Sequence, residues 1–159
     1  MKLAHVLVAY AAALSGMCGP SYAIAAPPKV ATTINVPELM QFACSVLEYD
    51  CSQIDPPKVD FAPLYGQMGA IGAYWPGTDT IYLDNQLLPY MTDEYVRSIA
   101  AHEITHYVDE RVRGAEEMAL DPCQTENRGW RVGNAYLIVH GREDLVDYSW
   151  YERYNCYSS

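Results

Sequence analysis

The sequence predicts a small α+β domain, on three observations. A strand–turn–strand pattern occupies residues 72 to 83. A helix with a capping residue and a glycine stop spans about 92 to 114. A second capped helix follows from Asp121 to about His140. At 159 residues, one domain is expected.

Residues 1–25 have the layout of a secretory signal peptide. Lys2 supplies the positive start, Leu3 to Leu14 are mostly apolar, and Ala23-Ile24-Ala25 matches a cleavage site. The expected mature domain is residues 26–159, exported to the periplasm or secreted, with no transmembrane segment. Net charge is −10, and Lys2 is the only charged residue of the leader, so the mature part is more acidic still. Such a chain repels nucleic acid and anionic membranes.

Residues 26 to 34 are a Pro- and Thr-containing lead-in. Pro37 to Tyr49 reads as a helix, with Leu39, Phe42, Ala43, Val46 and Leu47 on one face. Asp55-Pro56-Pro57 breaks any helix, and residues 59 to 90 read as extended. Within them Gly72 to Trp75 and Thr80 to Leu83 form two strands around Pro76-Gly77-Thr78-Asp79. Ile81 and Leu83 are expected on one face and Tyr82 on the other. Thr92 is the expected cap of the next helix, and Gly114 its stop. A polar connection runs to Leu120. Asp121-Pro122-Cys123-Gln124 then gives an N-cap, a first-turn proline and a reciprocal capping partner. The tail from Asp144 is rich in tyrosine.

The expected mature part holds four cysteines, Cys44, Cys51, Cys123 and Cys156. In an exported chain they read as two disulfides. The preferred pairing is Cys44–Cys51 and Cys123–Cys156. Seven residues of continuous helix would hold the first pair about 10.5 Å apart, beyond bonding reach. The first helix must therefore end before Cys51, or the pairing is wrong.

The chemistry centres on His102-Glu103-Ile104-Thr105-His106, an H-E-x-x-H motif on a predicted helix. Four residues turn a helix by about 400°, so both histidines share one face. Their imidazoles can then reach one metal ion, with Zn²⁺ the expected cofactor. Glu103 lies about 100° away and can serve as general base without ligating. The composition gives a chance match of roughly 0.6 %, so coincidence is the weaker explanation.

A catalytic zinc takes three protein ligands. Position 112 is Val112, which excludes a third histidine six residues after His106. Glu116, Glu117, Asp121 and Glu126 are the candidate carboxylates. Glu126 is favoured, because it lies on the next helix with room for the chain to reverse. Asp109, three residues after His106, could accept the other ring N–H of a ligand histidine. Gly129 and Gly133 lie on the Glu126 side of their helix and could let it pack closely on the metal helix. Tyr136, His140 and Tyr148 are candidate donors to a reacting oxyanion.

His102-Glu103-Ile104-Thr105-His106 with Glu126-Asn127-Arg128-Gly129 resembles the gluzincins, the thermolysin-like clan of zinc metallopeptidases, in a minimal single-domain form. The resemblance covers roughly residues 72 to 135. It implies a zincin-like domain with an active-site helix, a glutamate-bearing helix after it and a short β-hairpin or sheet. It also implies that His102, His106 and Glu126 bind zinc, that Glu103 is the base, and that a peptide or protein is the substrate. The edge strand that pairs with substrate in such folds would be Thr80 to Leu83. Two rival readings are a zinc-containing binding protein without turnover and an amidase acting on cell-wall peptides.

Overall fold

The protein is described by a computed structural model over residues 34–146. The leader, almost all of the lead-in, and most of the tail, including Tyr148 and Cys156, lie outside the described residues. The observed domain mixes helix with a small sheet, as the α+β expectation requires.

The helix α1 (Val36–Leu47) starts at Asn35, whose side chain accepts from the Glu38 N–H. It stops at Glu48, which has a φ of 60°, before Cys51. That left-handed residue folds the chain back, so Cys44 and Cys51 approach to a Cα–Cα distance of 6.2 Å and form a disulfide. Cys123 is also disulfide-bonded.

Strand β1 (Lys58–Ala62) and a one-turn helix α2 (Leu64–Met68) come next, then β2 (Gly72–Tyr74) and β3 (Thr80–Asp84). The sheet order is β1-β3-β2, with β1 parallel and β2 antiparallel to β3. Ile81 and Leu83 are fully buried on one face, as their alternation requires. Tyr82 turns to the other face, where its ring meets Trp75 edge-on at 4.7 Å.

Two expectations are corrected here. Thr80 to Leu83 is the central strand and not an edge, because Lys58 to Phe61 pairs along its other side. The two edge strands of this sheet are β1 and β2. Residues 59 to 90 are also not extended throughout, since α2 and a 3₁₀ turn (Asn85–Tyr90) interrupt them. Gly66 and Pro89 sit inside those turns, which are too short to show helical periodicity.

The helix α3 (Glu94–Arg113) is the centre of the domain. Its cap is Asp93, which accepts from the Tyr95 N–H, one residue later than Thr92. Nearly every residue from Val96 to Asp109 is buried, polar ones included. A helix buried all round must have neighbours on every side. Here α1, α4, α5 and the strands β2 and β3 surround it. Gly114 ends α3 with a φ of 89°, and the supposed connection is a further helix, α4 (Ala115–Leu120).

The last helix, α5 (Pro122–Val139), begins as its sequence requires, with the Asp121 carboxylate accepting from the Gln124 N–H. The reciprocal bond does not form, because the Gln124 side chain accepts instead from Arg128 at 2.7 Å. No helix among the described residues is long and apolar enough to cross a membrane.

Candidate metal centre

The centre forms where α3 and α5 cross. His102 and His106 lie one turn apart on α3, with their Nε2 atoms 2.9 Å from one another. Glu126 comes from the first half of α5. Its Oε1 is 3.4 Å from His106 Nε2, and its Oε2 is 3.4 Å from His102 Nε2. Ligand atoms of all three residues lie within 4.8 Å of one another, and each residue is only 2 % exposed.

This donor set fits a cation. Two neutral imidazoles facing through Nε2 can share at most one proton between those atoms. Glu126 Oε2, which faces the histidine Nε2 atoms, has no hydrogen-bond partner among the described residues. Leaving a carboxylate oxygen unsatisfied in a buried place is costly. Two histidines and a carboxylate converging on one point are also the ligands that zinc and related divalent ions take. The group could therefore hold a metal ion, and the donor set alone does not select which one.

Electrostatics follow from burial and from the proximity of these groups. Burial pushes the His106 imidazole down to about 4, and the neighbouring His102 lowers it further against the pull of Glu126. Burial opposes charge on His102 too, but the Glu126 and Glu103 carboxylates outweigh it and leave its pKa raised. Burial opposes the Glu126 anion, yet His106 and His102 hold its carboxyl below the ordinary range. An ionised carboxylate beside a neutral imidazole is what a cation needs.

Glu103 leaves α3 on a different side and faces β2. It is 2 % exposed, and burial pushes its carboxyl up to about 8, with Glu126 adding to the rise and His102 opposing it. A carboxyl with that value exchanges a proton readily near neutral pH.

Close packing holds α3 and α5 together. A Cβ on Gly129 would come within 2.8 Å of the His102 ring, and one on Gly133 within 3.1 Å of the Ser98 carbonyl oxygen. A side chain at position 129 would force the His102 ring to move, and one at position 133 would be tight against the backbone, in line with the position of both glycines on the Glu126 side of their helix. The Trp130 ring packs edge-on against His102 at 4.3 Å and limits its rotation.

Asp109 has a different role from the one its spacing suggested. It is fully buried but does not accept from a ligand histidine. Its Oδ2 accepts from Arg128 Nε at 2.7 Å, and its Oδ1 accepts from the Tyr49 hydroxyl at 3.0 Å. Arg128 is two residues after Glu126. Asp109 thus ties the glutamate-bearing helix, and the segment just after α1, to the histidine-bearing helix.

The other candidates lie away from the centre. Glu116 and Glu117 are exposed on α4, where Glu117 pairs with Arg113 at 2.6 Å. Asp121 is a cap. Tyr136 packs edge-on against Phe42, and its carbonyl oxygen lies 2.8 Å from Nδ1 of the exposed His140. Tyr136 and His140 are ten and fourteen residues beyond Glu126, or about 15 and 21 Å along α5. Sequence reasoning missed Trp130, Arg128 and Tyr49. A tryptophan four residues after a ligand, and an arginine two residues after it, were the available signals.

No family model, curated protein or solved structure matches this chain.

Proposed function

We propose that this protein is a zinc-dependent peptidase of gluzincin type, periplasmic or secreted, which hydrolyses peptide bonds. The observation that carries the proposal is the meeting of His102, His106 and Glu126 in one buried cluster, 20 residues and a helix reversal apart. The intervening Glu103 adds a proton carrier that is not one of the three. The Cys44–Cys51 disulfide is compatible with an extracytoplasmic protein.

His102 Nε2, His106 Nε2 and the Glu126 carboxylate would hold the ion. When bound, zinc acidifies water and polarises a carbonyl. Glu103 moves the proton, taking it from the attacking water on a carboxylate oxygen and returning it to the departing amine. Asp109, through Arg128, keeps Glu126 facing the histidines while this happens. Gly129 and Trp130 keep the His102 ring from turning away.

Substituting Glu103→Gln removes the proton carrier and leaves the three ligands. The variant is expected to keep its metal and to lose at least about 100-fold in kcat on any peptide that the wild type cleaves. Full activity in that variant would overturn the mechanism.

A further inference from the structure

We infer that Gly72 is the positioning residue for Glu103, an assignment that rests on the peptidase reading above. Gly72 is the first residue of β2 and is buried against α3. A Cβ there would stand 2.5 Å from Glu103 Oε1, 2.9 Å from its Cγ and 3.0 Å from its Cδ. Carbon atoms in good contact sit about 3.5–4.0 Å apart. The carboxylate therefore occupies the space that a side chain at position 72 would fill.

Backbone conformation does not explain this glycine. The glycines with positive φ are Gly69, Gly77, Gly114 and Gly141, and Gly72 is not among them. An ordinary L-residue could adopt its backbone, and glycine inside a strand is destabilising relative to alanine. Glycine in such a place marks a close approach by another group. Here the approaching group is the carboxylate that the mechanism uses.

The strand is itself held against α3. The Tyr74 hydroxyl donates to Glu110, and the Gly77 N–H donates to the same carboxylate at 2.9 Å. Arg111 bonds the Asp79 side chain at 2.7 Å and the Thr78 carbonyl at 3.1 Å. The floor under Glu103 is thus a strand pinned to the helix that carries Glu103, two turns further along. With that floor fixed, an added methyl group at position 72 meets the Glu103 side chain first, at its Oε1, Cγ and Cδ. The fold survives, and the base moves.

Gly129 offers a built-in contrast. It touches the His102 ring, so filling it presses on a proposed ligand, whereas the three atoms nearest to a Cβ at position 72 all belong to Glu103. The two glycines divide metal holding from proton transfer.

The test is a double-mutant cycle of Gly72→Ala with Glu103→Ala, read by zinc affinity, by thermal unfolding and by peptide hydrolysis. In Gly72→Ala, zinc affinity is expected within about threefold of wild type, and kcat at least tenfold lower with KM within about threefold. The fall in Tm that Gly72→Ala causes is expected to vanish when position 103 is alanine, because the colliding atoms are gone. The assignment is overturned by wild-type kcat in Gly72→Ala, by loss of metal in that variant, or by an undiminished fall in Tm in the double variant. A wild-type protein that binds zinc and cleaves no peptide would overturn the peptidase reading instead. The unfolding arm of the cycle would still decide whether Gly72 seats Glu103.

Discussion

At the scale of single residues, the site rests on a few buried polar groups that have little choice of partner. Asp109 is the clearest, with Tyr49 and Arg128 each giving it a hydrogen bond. The Tyr49 phenol is pushed up to about 12, first by burial and then by the Asp109 charge and hydrogen bond. The folded value lies above the ordinary 10.0, so the proton favours the folded state. This contribution is complete below about pH 10 and is lost as pH rises towards about 12. Denaturant titrations across that window should show a smaller loss of stability in Tyr49→Phe than in wild type. An identical loss in both proteins would mean that Tyr49 does not carry it. The four central residues were legible because helix geometry alone puts His102 and His106 together, and chain reversal limits the third ligand. The partner of Asp109 was not, because spacing tells which face a side chain occupies but not which of several groups reaches it. Gly72 was invisible for a related reason, since its role is the space that it leaves.

At the scale of elements, α3 and α5 make the centre by packing close enough for their side chains to converge. Gly129 and Gly133 permit the approach, against His102 and the Ser98 carbonyl oxygen respectively. Gly129→Ala is expected to weaken zinc binding by at least about tenfold, because the ring that it displaces belongs to the proposed ligand His102. Competition against a chromogenic chelator would read the change, and unaltered affinity would show that the ring has room to yield. Asp121-Pro122 and Gly114 were legible as helix ends because capping is local chemistry. The first helix was legible as well, and the Cys44–Cys51 spacing correctly required it to stop early. The strand order was not. Parallel pairing of β1 with β3 joins residues 22 apart across a hairpin strand, and no local pattern announces it. The helix α4 escaped because a six-residue helix shows fewer than two periods.

At the scale of the whole molecule, the domain is built around one buried helix that carries His102, Glu103, His106 and Asp109 in its buried stretch. The disulfide and α1 close one side, α5 closes another, and the pinned strands β2 and β3 lie beneath Glu103. A centre of two histidines and a carboxylate, each 2 % exposed, is a place where a cation adds to stability as well as chemistry. That dependence makes metal content the most direct measurement. Purified protein should be analysed for zinc per chain, beside Glu126→Ala prepared in the same way. About one zinc per chain in wild type, and much less in Glu126→Ala, is the expected result for a three-ligand centre. Equal zinc in both would contradict the role of Glu126. No zinc in wild type, even after zinc is supplied, would contradict the metal centre and with it the peptidase.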